Sequence, residues 1–170
     1  MRAKVNAQSV MMDSRLVHVR ELQAEVKRLR AELQAERAER EALESHFALA
    51  LAAAEDLKAI PAGGRLIIYD GWNLILGAHR EAGNREELIA QAQAHLAAHP
   101  DDRAWIVLDG PEAKSTVAGR LRVTYTGGTG LHRADRMILD YVKMARLRGF
   151  TVPIEVKTRD KDLLAGLGKV

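Results

Sequence analysis

Asp70, Asp109, Asp135 and Asp160 are the residues of this chain best placed to do chemistry. Each stands just past an apolar run or at the start of a helix-like segment: RLIIYD (65–70), AWIVLD (104–109), HRADRMI (132–138) and PIEVKTRD (153–160). In an open α/β sheet, the carboxyl ends of parallel strands open onto one crevice. Carboxylates gathered there bind hard divalent cations, and such cations carry phosphodiester chemistry.

Each acid also has a plainer explanation. In Asp70-Gly71-Trp72-Asn73 an apolar strand ends on an acid, glycine allows a tight turn, and Asn73 can hold a phosphate or fix the rotamer of the acid. Asp, Gly and Asn are equally common where a strand simply stops. Leu108-Asp109-Gly110 repeats the strand–Asp–Gly ending. Asp135 and Asp160 suit helix capping, and Thr158 competes with Asp160 for that role. Four such placements at one sheet edge make a shared purpose the better account. His95 and His99 have an i,i+4 spacing that puts them on one helix face, but no HExxH accompanies them. The Gly127–Gly130 run lacks the Gly-Lys-Ser/Thr ending of a phosphate-binding loop.

The elements that must carry these residues alternate between strand and helix. Strands are expected at Arg65–Asp70, Arg103–Leu108, Leu121–Thr126 and Thr151–Lys157, with Asp70 ending the strand expected to be central. Helical segments are expected from Asn73 to Arg80, from an Asn84 cap to Ala98, from Asp135 to Arg148, and in a short piece opened by Asp160. Alternation of this kind implies a parallel sheet. The difficult link is Gly110–Arg120, which is barely long enough for a parallel crossover.

Residues 14–58 contain no proline or glycine and are dense in Glu, Arg, Ala, Leu and Gln. A heptad fits Val19, Val26 and Leu33 at a, and Leu22 and Leu29 at d. It falters at Glu36 and Arg40 and resumes with Leu43, Phe47, Ala50, Ala54 and Leu57. Valine at a with leucine at d favours two strands, and Glu25 and Glu32 at g face Arg30 and Arg37 at the following e. A homodimer through residues 14–58 is therefore expected, with a single solvated helix as the alternative. Pro61-Ala62-Gly63-Gly64 ends the helix.

The 170 residues carry a net charge of +3, with the basic excess in residues 61–170. The absence of cysteine excludes disulfides and thiolate metal sites. No run of residues is long and apolar enough for a membrane span, and the start lacks the apolar core of a secretion signal. A cytoplasmic protein is the expectation.

In order and spacing, IIYDGWNLI, WIVLDG, LRVTYTGGTGLHRADRMI and VKTRDKDL resemble the motifs of the NYN-type branch of the PIN-like nucleases, nearest the YacP-like group. The resemblance covers residues 64–165. It implies a PIN-like, open, mainly parallel sheet flanked by helices, a Mg2+ or Mn2+ site, and RNA as substrate. Asp70, Asp109, Asp135 and Asp160 match its acidic, metal-holding positions, and Asn73 its polar one. Thr158, Arg133 and Arg136 would orient water or phosphate and steer the RNA backbone. The expected division is then a disordered N-terminus (1–13), a coiled-coil helix (14–60) and a PIN-like domain (64–170). Two departures stand out. Arg136 follows Asp135 where many relatives carry a second acid, and the sequence reaches Val170 where a further edge strand is expected after the last acidic turn. The expected function is a metal-dependent endoribonuclease. The alternative is a weak or inactive RNA-binding or assembly module dimerised by its coiled coil.

Overall fold

The structure, a computed structural model, describes residues 2–76, 82–128 and 132–169. It divides into two compact units, Met1–Glu41 and Ala42–Val170. One helix, α1 (Arg2–Lys58), supplies all of the first unit and opens the second. The segment 1–13, expected to be disordered, is helical from Arg2 onward. It contains no proline or glycine, so nothing in it stops the helix. Within the first unit Leu16, Val19, Leu22, Val26, Leu29 and Leu33 are all exposed. On the polar side Arg28 bridges Glu25 at 2.6 Å and Glu32 at 3.8 Å, pairs worth a few tenths of a kcal/mol each.

The second unit is a five-stranded sheet with helices packed on it. In chain order its elements are β1 (Leu66–Asp70), α2 (Gly71–Leu76), α3 (Arg85–Ala98), β2 (Arg103–Leu108), β3 (Ala113–Ala118), β4 (Leu121–Thr126), α4 (Arg133–Leu147), β5 (Ile154–Lys157) and α5 (Lys161–Leu167). The strand order is β3-β4-β2-β1-β5. β1 pairs in parallel with β2 and β5, and β2 with β4, whereas β3 runs antiparallel to β4. The sheet is thus mainly parallel, with β2 at its centre and β1 beside it, which corrects the expectation that β1 is central.

β3 resolves the difficult Gly110–Arg120 link. Instead of a helix, a strand brings the chain back, and a two-residue turn with Gly119 at φ 61° reverses it into β4. A glycine with positive φ at the first turn position is what such hairpins need. β3 escapes notice in the sequence because AKSTVA is polar, and as the outermost strand it is exposed along most of its length.

Every residue of β1 is buried, consistent with a strand covered on both faces. Ile67, Tyr69, Ile106 and Leu108 pack with Leu74, Leu88, Ala92 and Leu96 of α2 and α3. Ile68, Trp105 and Val107 pack on the other face with Met137, Ile138, Tyr141 and Val142 of α4. Ala54, Leu57 and Ile60 join that second cluster, so the last turns of α1 belong to the domain core. Asp56 fixes them there, accepting from Arg122 Nε at 2.6 Å and Arg103 Nη1 at 3.4 Å. Beneath it Trp105 Nε1–H donates to Thr124 Oγ1 at 2.9 Å, so the buried indole has its partner.

The sequence carries the helix that begins near Asn73 on to Arg80. It is described as α2 to Leu76, and residues 77–81 lie outside the described residues, as do Thr129 and Gly130 of the glycine-rich turn. Asn84 caps α3, accepting from Glu87 N–H at 2.9 Å. Among the described residues no strand follows α5. None of the described helices is long and apolar enough to cross a membrane.

Leu57 is 1% exposed, and its replacement by alanine leaves a cavity in the core. Leu57→Ala is expected to lower the unfolding free energy by about 2–5 kcal/mol. Lys58→Ala, at an exposed position, should change it by less than about 0.5 kcal/mol. Urea unfolding of both variants checks this, and equal midpoints would remove the end of α1 from the core.

Candidate functional site

The parallel pairing of β1, β2 and β5 directs their carboxyl ends to one edge of the sheet. Asp70 is the last residue of β1, Asp109 follows β2, and Thr158 and Asp160 follow β5. Asp135 reaches the same place from the first turn of α4, which runs back from that edge. The charges of Asp135 and Asp160 act on Asp70, and those of Asp135, Asp160 and Asp109 act on His132. All four acids expected from the sequence therefore share one electrostatic neighbourhood.

Their local ties differ. Asp70 is 4% exposed and accepts from Thr158 Oγ1 at 2.6 Å and from the backbone N–H of Asn73. Thr158 Oγ1 in turn accepts from Asp160 N–H at 3.0 Å. A hydroxyl has one proton to donate. Thr158 spends it on Asp70, so the residue holds the acid in place instead of presenting a hydroxyl to a phosphate. Asn73 Oδ1 accepts from Arg159 N–H at 2.7 Å, which clips α2 to the turn after β5. The Asn73 side chain is thus engaged with the turn after β5, and it is the backbone N–H of Asn73 that reaches Asp70. Asp160 caps α5 through Oδ1, at 2.7 Å from Asp162 N and 3.0 Å from Leu163 N.

Asp109 works mainly as an anchor. Its Oδ1 accepts from Thr126 Oγ1 at 3.0 Å and from Ala134 N–H at 2.8 Å. The residue preceding α4, His132, makes no side-chain cap. Asp109 thus supplies from β2 the acceptor that a helix start requires. Capping, expected of Asp135, is done by Asp109. α4 begins two residues earlier than the sequence pattern suggests, leaving the Asp135 side chain for other partners.

One of those partners was missed in the sequence. His132 Nδ1 lies 2.9 Å from Asp135 Oδ2. One donor atom from each of His132, Asp135 and Asp160 falls within 4.8 Å of the others. The signal was there as a histidine three residues before the acid, but it becomes visible only once His132 is seen to take a left-handed conformation at φ 57°. Arg133 and Arg136 both lie on the first turn of α4. The Arg133 guanidinium packs over Gly128, where an added Cβ would come within 2.8 Å of it, while Arg136 is exposed.

These donors fit a divalent ion. Carboxylate oxygens suit Mg2+ or Mn2+, and an imidazole nitrogen is a poorer ligand for Mg2+ than for a transition ion. Ligands of an ion with bonds of about 2.1 Å stand about 3–4 Å apart, so the three donors need to move little. The electrostatics point the same way. Burial, with the charges of Asp135 and Asp160 added, outweighs the Thr158 hydrogen bond and raises the Asp70 carboxyl from 3.8 to about 6. The hydrogen bond and the negative charge of Asp135 raise the His132 imidazole, and Asp160 and Asp109 add to the effect. Negative charge is in excess here, and a bound cation would relieve it.

A second group, His95, His99 and Asp102, also brings donors within 4.8 Å. It stands before β2, at the opposite edge of the sheet. Its atoms are engaged otherwise: Asp102 accepts from Arg65 N–H, Arg65 Nε–H and His95 Nε2, and His99 Nδ1 bonds to the His95 carbonyl. Burial pushes the Asp102 carboxyl up, but the hydrogen bonds from His95 and Arg65 outweigh it and leave it below the usual range. This group ties the start of β2 to β1 and α3. Comparisons of the chain with protein-family models, with curated proteins and with solved structures give no significant match.

The raised Asp70 carboxyl sets a pH dependence. Its folded-state pKa lies above the unfolded one, so its favourable contribution is complete below about pH 4 and is lost as the pH rises through about 6. A carboxyl displaced from 3.8 to about 6 corresponds to roughly 3 kcal/mol. In EDTA, Asp70→Asn is therefore expected to be more stable than wild type at pH 8, with the advantage shrinking by pH 4.5. Denaturant melts at the two pH values measure the difference, and a pH-independent gap would refute the assignment.

Proposed function

We propose that the Ala42–Val170 unit is a PIN-like domain of the NYN type that cleaves RNA with the help of Mn2+ or Mg2+. The observation that carries this reading is the gathering of the His132, Asp135 and Asp160 donors within 4.8 Å, with buried Asp70 electrostatically coupled to two of them. Asp135, Asp160, Asp70 and His132 would hold the ion, with Mn2+ preferred because one donor is nitrogen. When bound, such an ion supplies a Lewis acid that lowers the pKa of water and offsets phosphate charge.

The chain's own residues do the rest. Thr158 and the Asn73 backbone fix the Asp70 carboxylate, and Asn73 and Asp160 fix the turn that carries Thr158. Asp109 sets the start of α4 and hence the place of Asp135. Arg136, exposed on the same turn, would attract the RNA backbone. The second reading, RNA binding without cleavage, draws on Asp109, whose Oδ1 already serves Thr126 and Ala134.

We propose also that two copies pair through α1. The exposed stripe of Val19, Leu22, Val26, Leu29 and Leu33 has the a/d spacing of a two-stranded parallel coiled coil. Glu25 and Glu32 would face Arg30 and Arg37 of the second copy.

Purified protein is expected to cut single-stranded RNA in Mn2+, and to stop in EDTA or on Asp70→Asn or Asp160→Ala. Saturating Mn2+ at about 100 times its dissociation constant should add about 2.7 kcal/mol of stability. RNA that is bound but left intact under all metal conditions would establish the second reading. Light scattering should give twice the monomer mass for the wild type and the monomer mass for Leu22→Asp/Leu29→Asp. A wild type of monomer mass would end the dimer proposal.

A further inference from the structure

The chain has two tryptophans with opposite settings. Trp105 is 1% exposed and bonded to Thr124, whereas Trp72 is 36% exposed. Large aromatic surface is normally taken out of water, and an indole left open beside a polar site needs a reason. Trp72 is also held still. Its Nε1–H donates to the Asp109 carbonyl at 2.6 Å, which satisfies the polar tip and leaves the ring as the available surface. The backbone before it is equally constrained. A Cβ on Gly71 would come within 2.9 Å of the Val107 carbonyl, so α2 starts hard against β2, and Trp72 follows Asp70 by two residues.

Resting on the nuclease reading above, we infer that Trp72 is a stacking platform for one unpaired nucleobase of the bound strand, beside the acidic centre. A pre-oriented aromatic face meets a base without ordering cost, and stacking accepts every base because each has a π face. The next contacts along the same edge supply a cation. The Tyr125 ring lies against Gly110, where an added Cβ would come within 2.9 Å of Cδ1, and its hydroxyl accepts from Arg85 Nη1 at 2.7 Å, while Nε and Nη2 of Arg85 pair with the exposed Glu86, a pair a phosphate would have to displace. The indole, the Asp109–Gly110 backbone, Tyr125 and Arg85 thus form a continuous run, suited to a base at one end and a phosphate at the other. Leu76, exposed one helical turn after Trp72, widens the apolar surface.

The test uses intrinsic fluorescence of the full chain, because Trp72 is the accessible tryptophan and Trp105 is shielded. A short single-stranded RNA, a DNA of the same sequence, an abasic strand and a blunt duplex are titrated in EDTA and again in Ca2+. Unpaired RNA and DNA bases are expected to quench the emission, and the abasic strand and the duplex are not. Trp72→Ala should abolish the quenching and weaken binding of a labelled single strand about tenfold or more, while Trp72→Phe keeps most of the affinity. Trp72→Ala binding like wild type, an abasic strand binding as well as a normal one, or no binding in either condition would overturn the inference. RNA cleavage indifferent to Trp72→Ala would sink the platform and leave the nuclease reading intact. Quenching that depends on Trp72 without cleavage in Mn2+ would do the reverse.

Discussion

Negative charge crowded at one edge of the sheet has to be held in place, and much of the local structure around β1, β2 and β5 is that holding. Carboxylates brought together repel one another, and a buried one also loses hydration. Here the opposing forces are hydrogen bonds from neutral donors. Thr158 and a backbone N–H serve Asp70, Thr126 and a helix N–H serve Asp109, and two helix N–H groups serve Asp160. The arrangement is indirect where it matters most. The same Asp109 oxygen that is stabilised sets where α4 begins, and α4 carries Asp135 and follows His132.

The opposite edge of the sheet is managed differently, and the contrast is informative. Asp102 is as buried as Asp70 but meets a guanidinium and an imidazole, so its carboxyl is lowered while that of Asp70 is raised. Asp56 likewise meets two arginines. These two architectural acids are met by cations, whereas the anchoring Asp109 is met by neutral donors. At Asp70 and Asp160 the bonds come from a hydroxyl and from backbone N–H groups, and the histidine beside Asp135 is itself a metal-ligand type.

Much of this was legible in the sequence. The alternating apolar runs marked four of the five strands, the Asn84 and Asp160 caps, and the edge on which the acids meet. The legible features were those set by local pattern: buried runs, short polar caps, glycine endings. Three features were not. β3 has no buried apolar face to announce it, because it stands exposed at the edge of the sheet. The exchange of roles between Asp109 and Asp135 depends on a backbone N–H that no spacing rule locates. His132 depends on a left-handed backbone state, which no spacing rule locates, although histidine is among the residues that tolerate it.

The β3 hairpin has one more consequence. By returning the chain through a strand, the Gly110–Arg120 link gives the sheet an open outer edge, with backbone donors and acceptors facing outward. Such edges invite a neighbouring molecule to add its own strand, the first step of aggregation. This edge is short, at six residues, and carries Lys114 near its start and a tight turn at its end. A charge and a brief length are the usual obstacles to sheets joining end on end. Lys114, paired with Tyr125 at the end of this strand nearest the acids, is thus also the charge that guards the sheet against association, in the one strand whose sequence looks least like a strand.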